Sequence, residues 1–377
     1  MTPLRVLLVS ANFRPSVGGI ERYVEILAHG LAARGHTVTV AACRTDGGKP
    51  EEWDGPVRIV RMPATDLLDT GLNVPYPLPE PLSALRTLRR LIRNADVVNP
   101  QDAIYATSVL ALALARRRGV PSVLTQHVAF VSQRRRALDV AQRVAIATLG
   151  RSARLATRVV SYNPSVVEWA QAIWHLPHVE VVPTGVPDAP DVAPRAVRAE
   201  FGLPTDRFLA LFVGRDVPKK GLDVLLAARD PAYELVAITD RPPSSADEGT
   251  RILPFVGPER FRKLLASVDA FVLPSTGEGF PLALQEALVT GIPCVITPGP
   301  GYDRYLRDGE AIFVQRDAGE IRQALQRLVA DKPLHEQLTA RAREAGRREF
   351  GVASFVDAYE RLYRDVAVGA EHTGGES

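Results

Sequence analysis

Hydrophobic residues in this chain fall into short continuous runs separated by stretches with helical spacing. Residues 5–10 (Arg-Val-Leu-Leu-Val-Ser) form a run too short for a membrane span, and no basic leader precedes it. They are expected to be a buried first strand rather than a signal peptide. Gly18-Gly19-Ile20-Glu21 then opens a helix predicted to run to about Arg34, where Gly35 stops it. Strands are predicted at 37–42, 57–61, 95–99 and 122–126, with helices over 82–93 and 104–118. The pattern restarts with a strand at 208–213, a helix at 223–228, a strand at 233–239, a helix at 261–267, a strand at 270–273 and a helix at 283–289. Short strands at 295–296 and 311–314 close it. A charged helical run covers 318–350, and a last helix covers 352–366. Continuous apolar strands alternating with helices argue a doubly wound parallel sheet buried on both faces.

The restart predicts two α/β domains facing a central cleft. The Pro-rich run through Pro183, Pro187, Pro190 and Pro194 marks the linker. The expected boundaries are 1–188 for the first domain and 189–351 for the second. Residues 352–368 form a closing helix, and the polar tail 369–377 is expected to be disordered. Open α/β sheets bind ligands at the carboxyl ends of their strands, so the cleft is the expected site.

Composition narrows the function without naming it. The 377 residues are 46% apolar and 24% charged, and the net charge of +3 gives no reason to expect nucleic-acid binding. No stretch reaches the roughly 20 apolar residues of a transmembrane helix. Cys43 and Cys294 are expected to be buried free thiols, which fits a reducing cytoplasm. Lysine supplies only 5 of the 46 basic residues, so the adjacent pair Lys219-Lys220 stands out.

Four groups of residues carry candidate chemistry, and one helix carries a candidate surface. Gly18 and Gly19 follow the first strand, where glycine lets backbone N–H groups approach a phosphate or sugar, although any loop uses such a pair. Gly214, Arg215 and Lys220 follow an apolar strand. The arginine fork and the lysine point charge suit a diphosphate, against the plainer reading of a solvated basic turn. Glu278 and Glu286 stand eight residues apart, and would share a side if one helix covered both. Their carboxylates can accept hydrogen bonds from hydroxyls, against the plainer roles of a helix-dipole partner and a surface charge. His127 ends the strand at 122–126, on the expected cleft side. The helix over 82–93 sets Leu82, Leu85, Leu88 and Ile92 against Arg86, Arg89, Arg90 and Arg93. This fits a membrane-surface helix, with Arg134-Arg135-Arg136 adding to its charge, or an ordinary packed helix with a basic exterior. The sequence holds no nucleophile elbow, no Walker A loop, no Asp-x-Asp metal motif and no metal-ligand spacing.

Together these residues resemble the family 4 retaining glycosyltransferases, which share the two-domain Rossmann-like GT-B fold. The resemblance runs from Val6 to about Tyr363. It implies that Gly18 and Gly19 contact the donor diphosphate and sugar, and that His127, in Thr125-Gln126-His127, contacts the transferred sugar. Arg215 and Lys220 would hold the phosphates beside Gly214. Glu278 and Glu286 match the family's Glu-x7-Glu motif, the first facing the donor sugar and the second the ribose. The backbone from Gly279 through Phe280, Pro281 and Leu282 would line the same site. Val182-Pro183-Thr184-Gly185-Val186 is similar to the segment that opens the family's linker, with Thr184 in place of the usual Asn and Pro187 in place of the usual Asp. The final helix would cross back onto the first domain.

The implied reaction moves a hexose from a nucleotide diphosphate sugar to an acceptor hydroxyl with retention, using no metal and no cofactor beyond that co-substrate. Preorganised positive charge would stabilise the departing diphosphate. The acceptor, a glycan, glycolipid or small molecule, is expected on the first domain near 71–81, the basic helix and His127. A peripheral location on the inner face of the cytoplasmic membrane, through 82–93, follows if that helix touches lipid. Two other classes compete: a nucleotide-sugar epimerase or hydrolase of related architecture, and a non-catalytic nucleotide-sugar-binding module.

Overall fold

The computed structural model describes residues 2–16, 19–44, 49–66, 76–129, 136–214, 216–239, 249–276, 280–299 and 302–373, the side chains of 136–138 and 369–373 excepted. The chain divides into two compact units, Met1–Gly185 with Phe355–Ser377, and Val186–Ser354. The change at Gly185 falls within the Pro-rich run.

The first unit begins with β1 (Arg5–Val9), α1 (Gly19–Ala33), β2 (Thr37–Arg44), β3 (Glu51–Asp54), β4 (Val57–Thr65) and β5 (Leu78–Pro79). It continues with α2 (Pro81–Arg93), β6 (Val97–Pro100), α3 (Ala106–Arg118), β7 (Val123–Thr125), α4 (Arg136–Thr148), β8 (Arg158–Ser161), α5 (Pro164–Trp174) and β9 (Glu180–Val181). β1 pairs in parallel with β2 on one side and β6 on the other. Parallel bridges Val98–Ser122 and Gln101–Thr125 link β6 to β7, from which β8 and β9 follow. The chain therefore winds outward both ways from β1, and the switch point lies at the carboxyl ends of β1 and β6.

The sequence reading missed β3 and β5, two antiparallel additions to β4, and everything from α4 to β9. β8 carries only two consecutive apolar residues and β9 is two residues long, so neither gives a strand-length run.

The second unit is one parallel sheet in the order β12-β11-β10-β13-β14-β15. Its elements are α6 (Pro194–Glu200), β10 (Leu209–Val213), α7 (Leu222–Ala227), β11 (Glu234–Ile238), β12 (Thr250–Leu253), α8 (Pro258–Leu265), β13 (Ala270–Leu273), α9 (Leu282–Thr290), β14 (Cys294–Ile296), β15 (Ile312–Phe313), α10 (Ala318–Ala330) and α11 (Lys332–Phe350). Successive strand residues point to opposite faces. Leu209, Leu211, Phe271 and Leu273 pack with α8, α9 and α11, while Ala210, Phe212, Ala270 and Val272 pack with α7 and α10. Burial on both faces explains why these strands read as unbroken apolar runs. The expected single helical run over 318–350 is two helices. Asp331 separates them and caps the second by accepting the Leu334 N–H at 2.9 Å.

The last helix, α12 (Val352–Thr373), extends beyond its predicted end at 366 and into the tail expected to be disordered, residues 374–377 lying outside the described set. Phe355, Tyr359 and Tyr363, spaced four apart, are buried in the first unit. Cys43 and Cys294 are buried free thiols, as expected. Among the described residues no helix is long and apolar enough to cross a membrane.

Candidate active site

In the second unit β10 and β13 are neighbours at the centre of the sheet, and the chain leaves them in opposite directions. Gly214 closes β10. A Cβ there would lie 3.3 Å from Lys220 Cδ, so the lysine stem folds across this glycine. Lys220 ends a short 3-10 turn, Pro218–Lys220, followed by Gly221 at φ +74°. A Cβ on Gly221 would lie 2.4 Å from the Pro274 carbonyl oxygen, so the turn is pressed against the end of β13. The Thr276 N–H donates to the Lys219 carbonyl at 2.9 Å and ties the two strand ends together.

Ser275 Oγ, Thr297 Oγ1 and Gln285 Oε1 are buried with no hydrogen-bond partner among the described residues. Unmet buried polar groups cost stability, and in a native fold they point to a ligand or ordered water. α9 starts here behind Pro281, and its first N–H groups have no partner within the helix. Phe280 is buried against Tyr302, Tyr305 and Phe350, with ring centroids 4.9–5.0 Å away, so its side chain anchors the loop. Leu282 is exposed. Glu286, in the second turn of α9, is partly buried. Burial pushes its carboxyl up to about 7, and the charge of Arg262 pulls it the other way.

In the first unit the carboxyl edge of β6 and β7 holds a buried polar cluster. His127 is buried, and its Nε2 lies 2.8 Å from Gln101 Oε1. Its backbone N–H donates to Asp102 Oδ1 at 2.8 Å, and that of Val128 does so at 3.4 Å. The Tyr23 ring meets the His127 ring edge-on at 4.7 Å. Burial drives the imidazole down to about 3, so it is neutral at physiological pH. Asp102 is fully buried, and its Oδ2 has no partner among the described residues. Burial raises its carboxyl to about 7, partly offset by the two N–H groups it accepts.

Of the residues singled out by sequence, Gly214, Lys220, Phe280, Pro281, Leu282 and Glu286 belong to the second unit, and Gly19 and His127 to the first. Gly18, Arg215, Glu278 and Gly279 lie outside the described residues, as do Arg134 and Arg135. α9 (Leu282–Thr290) begins within one residue of the helix expected at 283–289, and it holds Glu286. Sequence reasoning passed over Gln101, Asp102, Ser275, Gln285 and Thr297. A signal existed for the first two, because Asn99-Pro100-Gln101-Asp102 is a polar run at the carboxyl end of an apolar strand.

Glu80 caps α2 by accepting the N–H groups of Leu82 and Ser83. Its apolar stripe turns inward: Leu88 and Ile92 are core and Leu85 packs on them, leaving Leu82 outside at 58% exposure. Arg86, Arg89, Arg90 and Arg93, with Asn94, line a surface cavity of about 370 Å³. The structure also gathers Glu25, His29 and Asp54, whose ligand-type atoms lie within 4.8 Å of one another. Arg14 bonds both Glu25 and Asp54, so this group reads as an ion-pair network.

The family profile described as Glycosyltransferase Family 4 matches residues 17–189, and the one described as Glycosyl transferases group 1 matches residues 245–345. Over 366 residues the chain is 30% identical to the GDP-mannose-dependent alpha-(1-6)-phosphatidylinositol monomannoside mannosyltransferase of Mycolicibacterium smegmatis, covering 86% of this chain and 89% of that one. This chain belongs to the family 4 glycosyltransferases. The glycosyltransferase is also 30% identical over 370 residues to the GDP-mannose-dependent alpha-mannosyltransferase of Mycobacterium tuberculosis, covering 92% and 93% of the two chains. Among solved structures, sucrose-phosphate synthase from Thermosynechococcus elongatus aligns with a TM-score of 0.63 over 97% of this glycosyltransferase and 100% of that chain, at 17% identity. That likeness identifies the GT-B fold: two Rossmann-like α/β domains with parallel sheets. The enzyme is a transferase that uses a nucleotide sugar, and neither the epimerase nor the non-catalytic reading is favoured.

Proposed function

We propose that this glycosyltransferase moves a hexose from a nucleotide diphosphate sugar to an acceptor hydroxyl, with retention and without a metal ion, in the assembly of a membrane glycolipid. The observation that carries the donor reading is the edge between β10 and β13, where Lys220 lies over Gly214 and the buried Ser275 hydroxyl at the end of β13 has no partner among the described residues. A point cation, a glycine surface and hydrogen-bonding groups at a switch point suit a diphosphate. GDP-mannose is the donor of choice, since the names of two relatives aligned over most of the chain specify it.

In this reading charge builds on the departing diphosphate as the glycosidic bond opens. Lys220 and the first N–H groups of α9 stabilise it, joined by Arg215, Gly18 and Gly19 through the family resemblance. The Glu286 carboxylate accepts hydrogen bonds from the ribose hydroxyls, Glu278 faces the sugar with the backbone from Gly279 to Leu282, and His127 meets the transferred sugar. No side chain is assigned as covalent nucleophile. The donor phosphate assists removal of the acceptor proton on the same face.

The acceptor reading rests on the phosphatidylinositol monomannoside in one relative's name and on the four arginines of α2. With the apolar stripe of α2 turned into the core, lipid contact is electrostatic. It brings Arg86, Arg89, Arg90 and Arg93 to the anionic headgroups of the cytoplasmic leaflet. The test is to incubate the enzyme with GDP-mannose and a phosphatidylinositol mannoside in vesicles, in EDTA, and follow the lipid by mass spectrometry. Addition of one hexose is expected. GDP release with no lipid product would remove the glycolipid reading, and absence of any turnover would remove the donor assignment.

A further inference from the structure

The ring of His127 stands at the end of a hydrogen-bond chain whose proton order can be read from groups that only accept. The Asn99 amide nitrogen donates to the Val123 carbonyl, and to Thr125 Oγ1 at 3.0 Å. A carbonyl oxygen cannot donate, so the Asn99 NH2 must face Val123 and its Oδ1 must face the other way. That Oδ1 accepts from the Tyr363 hydroxyl at 2.9 Å and from Gln101 Nε2 at 3.0 Å. Gln101 Nε2 also donates to the Asn99 backbone carbonyl at 3.0 Å, a second acceptor-only group that fixes the orientation of this amide independently. What remains toward His127 is Gln101 Oε1, 2.8 Å from Nε2.

An amide oxygen accepts and never donates, so Nε2 of His127 must carry the ring proton. Nδ1 then holds a lone pair, and no hydrogen bond to it is made among the described residues. The same turn secures the backbone. Asp102 takes a left-handed conformation at φ 55°, unusual for a residue with a side chain, and from it Oδ1 reaches the N–H groups of His127 and Val128. Adjacent residues after β6 thus fix the ring of His127 and its main chain.

We propose that Gln101 is a positioning residue that locks His127 in the Nε2–H tautomer, so that Nδ1 serves only as an acceptor for a hydroxyl of the bound sugar. The lock rests on geometry alone. The hydroxyl rests on the reading that His127 faces the transferred sugar. A ring presented in this way rewards a donor sugar carrying a free hydroxyl at that position, and leaves Nδ1 unpaired against a deoxy or fluoro analogue.

The test labels the full chain with ring-15N histidine and records long-range proton–nitrogen correlations, His127 being assigned by its loss in His127→Gln. The wild type is expected to show a single neutral Nε2–H ring that does not titrate between pH 8 and 5. Gln101→Met keeps the length and removes the acceptor, and is expected to shift the ring toward a mixture of tautomers while the other histidines keep their patterns. Gln101→Glu places a carboxylate against Nε2–H, and is expected to keep the tautomer and bring the ring into titration. A wild-type Nδ1–H ring, or an unchanged tautomer in Gln101→Met, overturns the lock. Should Gln101→Met fail to fold, the wild-type pattern and the Gln101→Glu titration still decide. With GDP-mannose as donor, Gln101→Met is expected to lower kcat/KM by about tenfold to a hundredfold, as loss of orientation does. A shifted tautomer with undiminished turnover overturns the hydroxyl contact. A wild type that does not turn over GDP-mannose fails the donor assignment and leaves the tautomer result standing.

Discussion

Tyr23 and Tyr359 stand 336 positions apart in the chain, and their hydroxyls meet at 2.8 Å inside the first unit. Thr125 Oγ1 lies 2.7 Å from the Tyr359 hydroxyl on its other side, and the Tyr23 ring packs on Phe355 at 4.9 Å and on His127 at 4.7 Å. The last helix is therefore part of the floor beneath His127. Truncating Tyr359 to Ala should cost about 3–5 kcal/mol, the usual range for losing a buried aromatic. Tyr359→Phe should cost about 1–2 kcal/mol, because Tyr23 loses a buried partner. Chemical denaturation of the two variants checks the ordering. Equal losses would mean that the hydroxyl contact rather than ring packing dominates.

Gly221 gives a sharper local test. At φ +74° and against the Pro274 carbonyl, an alanine would be strained in backbone and in space. Gly221→Ala is expected to destabilise the protein by about 2 kcal/mol or more. It should also weaken donor binding, because the turn that carries Lys220 must move. A melting temperature within a degree of wild type would show that the turn is not clamped.

Glu286 ties donor binding to pH. Burial raises its carboxyl to about 7, and the ionised form is the stronger acceptor for hydroxyl hydrogen bonds. Affinity for GDP-mannose should therefore fall as pH drops below 7, by about tenfold at one unit below the midpoint. Calorimetry across pH 6–8 measures this. In Glu286→Gln the affinity should be lower at pH 8 and independent of pH, and a wild-type slope retained in that variant would assign the titration elsewhere.

The residues proposed for the donor stood out in the sequence because their pattern is local. Gly214, Lys220 and Glu286 each sit within a few residues of an apolar strand or inside an apolar helix, where polar groups stand out. Strands β10, β11, β13 and β14 of the second unit were legible for the same reason, being buried on both faces, whereas the partly exposed edge strand β12 was missed. The cluster around His127 was not, since it is assembled from β6, β7, α1 and α12, and nothing in a one-dimensional pattern brings Gln101 or Tyr359 to His127. The elements from α4 to β9 were missed because their strands are two to four residues long. α2 was read for its amphipathic pattern, but periodicity alone does not tell a core-facing stripe from a lipid-facing one.

Asp102 makes the first unit lose stability as pH rises from about 4 to about 7. Its carboxyl is raised from 3.8 to about 7, so the fold favours the protonated form. That contribution is fully present below about pH 4 and is lost as pH rises through 7. Asp102→Asn keeps an acceptor for the His127 N–H and carries no charge. It should gain stability over wild type on the order of a few kcal/mol at pH 8 and lose the advantage near pH 4. Denaturant midpoints at the two pH values test the sign, and a variant equally destabilised at both would mean that the carboxylate is satisfied by a group not yet placed.

The α2 arginines predict salt-sensitive vesicle binding. Changing Arg86, Arg89, Arg90 and Arg93 to Ala should reduce sedimentation with anionic vesicles by about 1 kcal/mol per residue removed, and leave neutral vesicles unaffected. Equal binding by wild type and variant would assign any membrane contact to another surface.

Lys220 is the most direct test of the central claim that fixed positive charge activates a nucleotide sugar. Steady-state turnover of GDP-mannose by wild type and Lys220→Met should be measured in EDTA. The account predicts wild-type turnover that EDTA does not change, and a loss in kcat of about a hundredfold to a thousandfold in Lys220→Met. Turnover by Lys220→Met equal to wild type, or wild-type activity that vanishes in EDTA and returns with a divalent cation, would contradict it.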